Sequence, residues 1–217
     1  MFKAVCFDMD GVLVDTERLG SQVLAEAAAL QNCAMTKEQE DSLLGVSLKS
    51  TRDRLNGWFP GQIDADRFVD DWCRLMLTHV EQHGVPLKPY ANEVLHRLRA
   101  MGVKTALCTS NATQVVSRYL RLAGWETIFD HVVTGDMVPA GKPAPDIYLL
   151  GAEKLGVAPG ECIGVEDSIN GIKALRAAGM HSVMIPDVLP YTPDLAPWVD
   201  TLLPDLAALE RMIEKER

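Results

Sequence analysis

The 217-residue chain lacks the features that mark secreted, membrane-embedded and nucleic-acid-binding proteins. Its five cysteines are scattered and include no CxxC pair, which favours a reducing cytoplasm over a disulfide framework. No apolar run approaches the roughly 20 residues that span a bilayer, and the start reaches Asp8 and Asp10 too soon for a signal peptide. Lys and Arg number 21 against 30 Asp and Glu, and the net charge of −9 disfavours binding to nucleic acid. We therefore expect a cytoplasmic protein with no membrane or nucleic-acid partner.

What the sequence does contain is typical of a folded α/β protein. Hydrophobic residues make up 47% of the chain and charged residues 24%, close to the globular average. Short, nearly continuous apolar runs indicate buried strands, and segments with apolar residues at helical spacing lie between them. This alternation predicts a doubly wound, Rossmann-like parallel sheet with flanking helices. The predicted strands are residues 2–7, 103–108, 162–165 and 181–185, and a final helix is predicted over 205–215.

The connection between the first two predicted strands is too long for a simple crossover. A βαβ unit needs about 30 residues, whereas the first strand ends near Asp8 and the next begins near Val103. Amphipathic spacing within this stretch predicts several helices. We therefore divide the chain into an α/β core, residues 1–15 and 83–217, and an inserted helical cap, residues 16–82. Since open α/β sheets bind ligands at the carboxyl ends of their strands, where the insertion leaves, we expect it to act as a lid.

Polar side chains follow three of the predicted strands at the same edge of the sheet. The first strand runs into Asp8-Met9-Asp10-Gly11, the second into Thr109-Ser110-Asn111, and the third into Glu166-Asp167-Ser168. Parallel strands bring such groups together in one crevice despite their distance in sequence. Clustered carboxylates repel one another, and a hard divalent cation with oxygen ligands removes that repulsion. The pattern therefore predicts a magnesium site.

A lysine in a loop completes a predicted anion site. Lys142 lies in Gly141-Lys142-Pro143, just before a predicted helix, and its ammonium group can meet a phosphate that the cation also binds. Each of these residues also has an ordinary structural interpretation, because aspartates form turns and hydroxyl residues cap helices. The coincidence of these groups at matching strand edges favours the functional interpretation.

The motifs resemble those of the haloacid dehalogenase superfamily, in its branch of phosphatases and phosphoglucomutases. Residues 7–17, Phe-Asp-Met-Asp-Gly-Val-Leu-Val-Asp-Thr-Glu, are similar to the nucleophile motif of that superfamily. Thr109, Lys142 in Gly-Lys-Pro-Ala-Pro-Asp, and Glu166-Asp167 match the second, third and fourth motifs in the same order. The resemblance spans nearly the whole chain and includes a helical cap after the first motif.

The resemblance implies phosphoryl transfer through a covalent intermediate. Asp8 would attack the phosphorus of a phosphomonoester and form an aspartyl phosphate. Asp10 would protonate the departing alkoxide and then activate the water that hydrolyses the intermediate. An aspartate at position 10 separates this sequence from the dehalogenases of the superfamily, which lack that acid and need no magnesium.

The resemblance also assigns the groups that bind the cofactor and the phosphate. Mg²⁺ is the expected cofactor, because it would keep the nucleophile and the phosphate from repelling each other. Its expected ligands are Asp8, Asp10 through the carbonyl, Glu166 and Asp167. The expected phosphate-binding residues are Thr109, Ser110 and Lys142.

The cap bears on the choice between a hydrolase and a mutase. Compared with β-phosphoglucomutase, this sequence has Gly20 in place of a histidine, and Leu44 and Leu48 in place of a lysine and an arginine. Leucines would leave substrate hydroxyls or phosphate without polar partners, so we favour a phosphatase for small sugar or polyol phosphates. The mutase stays an alternative, because a nearby cation can substitute for a missing one. The candidate substrate residues are Gly45, Ser47, Lys49, Arg52 and Asn111.

Other functional classes fit the sequence less well. A catalytically inactive, ligand-sensing relative is a third hypothesis, since a fold does not guarantee an activity. None of the five cysteines has an arginine six positions later, which argues against a cysteine phosphatase. Pro143 after Gly141-Lys142 argues against a nucleotide-binding P-loop. We expect a small phosphorylated metabolite as the partner, and a cap that opens and closes suits a monomer.

Overall fold

The computed structural model describes residues 2–43 and 48–216, and the chain divides into two compact units. The first unit consists of Met1–Asp15 and Leu87–Arg217, and the second of Thr16–Pro86. We call them the core unit and the insertion unit. Within the described residues, no helix combines the length and the apolar character that crossing a membrane requires.

A six-stranded parallel sheet forms the centre of the core unit. The strand order is β3-β2-β1-β4-β5-β6, which is the doubly wound order with its reversal next to β1. Each residue of β1 is fully buried, as expected for a parallel strand covered on both faces. The strands are β1 (Ala4–Phe7), β2 (Lys104–Thr109), β3 (His131–Thr134), β4 (Cys162–Glu166), β5 (His181–Met184) and β6 (Thr201–Leu202).

This sheet confirms the predicted fold class, although it has two strands more than the four expected. The additional strands β3 and β6 are four and two residues long and lie at the two edges of the sheet. An edge strand needs no continuous apolar run, because one side of it faces no neighbouring strand. β3 accordingly begins with the exposed His131, and only Val133 and Thr134 of its residues are buried.

Helices make up the regular structure of the insertion unit in its described residues. Apolar residues at helical spacing bury one face of the first and last helix, which pack against each other. Trp72 lies at this contact, where its indole Nε1 donates a 2.9 Å hydrogen bond to the carbonyl oxygen of Gly20. The helices are α1 (Thr16–Leu30), α2 (Lys37–Ser42), α3 (Leu48–Trp58) and α4 (Ala65–His83).

Five further α-helices lie in the described residues of the core unit. Several end at a glycine in the left-handed conformation, as at Gly124 and Gly179, which lets the chain reverse into the next strand. The predicted closing helix is present, with Asp205 as its N-cap. The helices are α5 (Ala91–Ala100), α6 (Thr113–Ala123), α7 (Asp146–Leu155), α8 (Ile169–Ala178) and α9 (Leu206–Lys215).

A buried carboxylate joins the last helix to α5. Glu210 of α9 is 5% exposed, and it accepts hydrogen bonds from the Tyr90 hydroxyl at 2.6 Å and from Arg97 Nε at 2.8 Å. The Tyr90 hydroxyl and the Arg97 guanidinium lower the pKa of Glu210, because both stabilise its charged form. The ionised carboxylate therefore stabilises the folded core unit.

We predict that Glu210→Gln lowers the free energy of unfolding by about 1–2 kcal/mol at pH 7, because the amide loses one charge-assisted hydrogen bond. A group whose pKa is depressed in the folded state stabilises above its unfolded pKa, about 4.3 for Glu. That stabilisation is lost as the pH falls through the folded pKa. Urea unfolding at a series of pH values should therefore show the free energies of unfolding of the wild type and Glu210→Gln converging below about pH 4.

The matched control is Glu214→Gln on the same helix. Glu214 faces the same arginine at 3.7 Å, but its side chain is 46% exposed. Exposed ion pairs contribute about 0–1 kcal/mol. An equal loss of stability in the two variants at pH 7 would contradict the role assigned to Glu210.

Candidate active site

The carboxyl ends of three neighbouring strands meet at one place in the core unit. Asp8 follows β1, Thr109 ends β2 and Glu166 ends β4, and β1 pairs with both of the other strands. The backbone N–H of Asp8 donates to the carbonyl oxygen of Val165 at 3.0 Å, which extends the pairing with β4 one residue past the strand. The reversal of strand order thus places buried carboxylates side by side, where open α/β sheets bind ligands.

Lys142 lies between two of these carboxylates. Its ammonium group contacts Asp8 Oδ1 and lies 2.7 Å from Glu166 Oε1, and it donates to the carbonyl oxygen of Cys108 at 3.1 Å. The lysine side chain is 7% exposed. Burial alone would lower the pKa of Lys142, but the two facing carboxylates raise it, so the ammonium stays charged.

Glu166 is fully buried and receives hydrogen bonds on both of its oxygens. Besides Lys142, Oε1 accepts from the Tyr148 hydroxyl at 2.7 Å, and Oε2 accepts from the hydroxyl and backbone N–H of Ser168 at 2.9 and 3.2 Å and from the backbone N–H of Asp167 at 3.1 Å. Burial alone would raise the pKa of Glu166, but Lys142 and these donors lower it, so the group stays ionised. Glu166 is therefore a fixed anion that orients Lys142.

The hydroxyl of Tyr148 is a contact that the sequence does not signal. The residue is fully buried on α7, and Lys142 Nζ lies 5.0 Å from the centre of its ring. A cation over an aromatic ring is attracted to it, so this tyrosine holds the lysine as well as its partner Glu166. Apolar spacing alone predicts a core residue at this position. That prediction is correct for the buried ring but does not indicate the hydrogen bond of the hydroxyl.

The charge balance of the cluster is negative. Burial raises the pKa of Asp8, and the nearby Glu166 and Asp10 add to this, while Lys142 acts in the opposite direction. One ammonium faces two carboxylates, and the carboxylate of Asp167 lies close by. A bound cation would remove the remaining repulsion and favour ionised Asp8.

The donor set fits the Mg²⁺ that the motifs imply. One oxygen from each of Asp8, Glu166 and Asp167 lies within 4.8 Å of the others, and hard cations of this type take oxygen ligands. Gly11 is required at this place, because a Cβ atom on it would lie 2.1 Å from Asp167 Oδ2, and its φ is +76°. The side chain of Asp10 is not among these three and accepts a hydrogen bond from Asn111 instead.

The second strand end supplies hydroxyl and amide groups. Thr109 is buried, and its Oγ1 accepts from the backbone N–H of Asn111 at 3.2 Å. Ser110 is exposed, and the side chain of Asn111 donates to Asp10 Oδ2 at 2.6 Å. The core unit therefore brings the predicted residues from three motifs and the loop lysine to one edge of the sheet.

The other predicted substrate residues belong to the insertion unit. Gly45 and Ser47 lie outside the described residues. Lys49 pairs with Asp53 at 2.8 Å, and the Arg52 guanidinium lies 2.7 Å from Asp66 and 3.9 Å from Asp70. Carboxylates of the same unit thus balance both cations, and their contact with substrate stays a prediction.

Comparison with known proteins places this geometry in a family. Residues 2–179 match the model of the haloacid dehalogenase-like hydrolases. Hexitol phosphatase A of Escherichia coli is 32% identical over 84% of this chain and 82% of its own length. A phosphorylated carbohydrates phosphatase of Thermotoga maritima is 32% identical over 83% of both chains. A crystal structure of a CbbY variant from Rhodobacter sphaeroides, in complex with xylulose-1,5-bisphosphate, has a TM-score of 0.77 at 25% identity and covers 96% of each chain.

The match to the family model extends from the residues before Asp8 past α8, and so covers every motif that meets at the strand ends. The chain therefore belongs to the haloacid dehalogenase-like hydrolases.

Proposed function

We propose that this protein is a Mg²⁺-dependent phosphatase that hydrolyses small sugar or polyol monophosphates through an aspartyl phosphate on Asp8. The single observation that supports the proposal most is the buried Asp8 carboxylate at the end of β1, in contact with Lys142 and close to two further acidic side chains. Relatives that share about a third of the sequence are phosphatases of hexitols and phosphorylated carbohydrates. The chain is a phosphoric monoester hydrolase.

The proposed reaction has two steps with Asp8 as the nucleophile. In the first, a carboxylate oxygen of Asp8 forms a bond to phosphorus while the bond from phosphorus to the leaving oxygen breaks, and Asp10 gives that oxygen a proton. In the second, Asp10 takes a proton from water, the water oxygen bonds to phosphorus, and the bond to Asp8 breaks. Phosphate is released and both aspartates return to their initial state.

The surrounding groups stabilise the charge that this transfer moves. Lys142 already contacts one oxygen of Asp8, and Glu166 and Tyr148 hold the lysine in place. Thr109 and Ser110 are proposed to bind phosphoryl oxygens. Asp8 and Asp167, with Glu166 close by, would hold a bound Mg²⁺, which would supply the positive charge that lets an anionic nucleophile approach an anionic phosphate.

Packing in the insertion unit supports a phosphatase over a mutase. Gly20 occupies the position of the mutase histidine, and a Cβ atom there would lie 3.2 Å from Cζ2 of Trp72. Trp72 is 8% exposed and bonded to the Gly20 carbonyl, so it cannot move aside easily. A histidine at this position would therefore force the Trp72 ring or the two helices to give way by at least a few tenths of an ångström.

Local charge in the insertion unit favours substrates with one phosphate. Lys49 is balanced by one carboxylate and Arg52 lies near two, so neither place carries net positive charge. A second phosphate would need an uncompensated cation to offset its loss of hydration. The proposed leaving group is accordingly an uncharged sugar or polyol.

We predict that Asp8→Asn abolishes phosphate release from a sugar or polyol monophosphate. The loss should be at least about 10³-fold in kcat, because the amide is a poor nucleophile. A colorimetric assay for free phosphate in the presence of Mg²⁺ measures it. Asp194→Asn, an exposed aspartate, is the matched control and should keep full activity. A wild-type protein that releases no phosphate would instead support the inactive, ligand-binding relative.

We predict that chelation with EDTA removes activity and that added Mg²⁺ restores it. Asp167→Asn should raise the Mg²⁺ concentration needed for half-maximal activity at least about tenfold, because it removes an anionic ligand. Binding to the folded protein also raises its unfolding temperature, so a thermal-shift titration with Mg²⁺ gives a second readout. Full activity in EDTA, or an unchanged Mg²⁺ response in Asp167→Asn, would contradict this metal site.

We predict that a substrate panel separates the two candidate enzymes. Hexitol and hexose monophosphates should be hydrolysed with kcat/KM at least about tenfold above that of a sugar bisphosphate. Binding a second phosphate without a cation to pair with it costs more than about 1.4 kcal/mol. With β-glucose 1-phosphate, the expected product is free phosphate. Formation of glucose 6-phosphate without free phosphate would show a mutase.

A further inference from the structure

A side-chain amide from the second strand end reaches the proposed acid and base. Asn111 Nδ2 donates to Asp10 Oδ2 at 2.6 Å, although the two residues are 101 positions apart in sequence. Both residues are half-buried, so the bond is partly shielded from water. A protonated carboxyl keeps one oxygen that accepts, so the amide can hold Asp10 in its acid form as well as in its ionised form. This bond restricts the rotation of the Asp10 carboxylate.

The backbone of Asn111 is itself held from two sides. Its N–H donates to Thr109 Oγ1 at 3.2 Å, and its carbonyl oxygen accepts from the backbone N–H of Gly135 at 2.9 Å. Gly135 follows β3 and lies so close that a Cβ atom on it would be 2.3 Å from the carbonyl oxygen of Ser110. The loop that carries the amide is therefore attached to both β2 and β3.

A second set of bonds holds the chain just after Asn111. The hydroxyl of Thr113 donates to Asp136 Oδ1 at 2.9 Å, and its backbone N–H lies 3.2 Å from both oxygens of that carboxylate. The hydroxyl of Thr134 also bonds to Asp136. Asn111 thus sits between two attached points, and a side chain on so rigid a backbone loses little further freedom when it holds Asp10.

We infer that Asn111 is a positioning residue, which acts through its amide to hold the Asp10 carboxylate in the orientation needed for proton transfer to the leaving oxygen. The inference rests on the proposed function, because it assumes that Asp10 is the acid of the first step. It gives Asn111 a role through Asp10 instead of through the substrate. If this role is correct, loss of the amide slows the reaction most for substrates whose leaving group must be protonated.

Two substrates with different leaving groups test this role. Sorbitol 6-phosphate loses an alkoxide, which must be protonated, whereas acetyl phosphate loses acetate, which is stable as an anion. The ratio kcat/KM reports the transfer to Asp8 in both cases. Because positioned acids contribute about 10²–10⁴-fold, Asn111→Ala should lower kcat/KM about 10- to 100-fold for sorbitol 6-phosphate. For acetyl phosphate we expect a change of less than about threefold, since the acid is not needed there.

Two further variants make the comparison specific. Gln114→Ala removes an exposed amide from the same loop–helix region and should leave kcat/KM unchanged for both substrates. Asn111→Leu keeps a side chain of similar size, removes the donor and adds no charge, so it should reproduce the selective loss if the alanine variant fails to fold. In the double variant Asp10→Asn/Asn111→Ala, the effect should not exceed that of Asp10→Asn alone, because both act through one group.

The outcomes separate this inference from the function on which it rests. Asp10→Asn is measured first, and it should show the same dependence on the leaving group. If it does not, the assignment of Asp10 as the acid fails, and with it the proposed mechanism. Alternatively, Asp10→Asn shows the dependence, but Asn111→Ala lowers kcat/KM equally for both substrates or raises KM alone. The positioning role of Asn111 is then wrong, and the phosphatase proposal stands.

Discussion

The arrangement of the site depends on one ammonium group placed between two buried carboxylates. Asp8 and Glu166 end neighbouring strands, and without Lys142 their burial side by side would cost several kcal/mol. The lysine reaches them from the loop before α7, and the same helix provides Tyr148, which contacts both the lysine and Glu166. Because Glu166 has its oxygens satisfied by fixed donors, it orients the lysine toward Asp8.

The order of the strands explains how a few residues at the strand ends form the candidate site. In the order β3-β2-β1-β4-β5-β6, β1 has β2 on one side and β4 on the other. The end of β1 therefore has a polar strand end on each side. Thr109 comes from one side and Glu166 from the other. β3 contributes indirectly, since Gly135 after it holds the loop of Asn111. Each strand end of this half of the sheet therefore either carries a site residue or supports one.

The sequence was sufficient to predict the parallel sheet and the convergence of the motifs, because both follow from local patterns. Continuous apolar runs identify the buried strands, and parallel pairing then brings their polar ends together. Two kinds of feature had no such pattern. β6 is only two residues long, and β3 is buried in only two of its four residues, so neither shows a continuous apolar run. The contacts of Tyr148 and Asn111 depend on side-chain directions across strands far apart in sequence, which spacing along the chain does not specify.

The insertion unit shows how packing can restrict the side chain at a position that the proposed function depends on. Trp72 packs closely against Gly20, since a Cβ atom there would lie 3.2 Å from Cζ2 of its ring and its indole N–H bonds to the carbonyl. A larger side chain at position 20 would therefore require the Trp72 ring or the two helices to give way by a few tenths of an ångström. A smaller residue at position 72 would relieve that contact but leave a cavity between α1 and α4, so each substitution alone would destabilise the helix pair. Positions 20 and 72 are therefore coupled through one contact, and the effects of substitutions at the two positions on stability should not be additive.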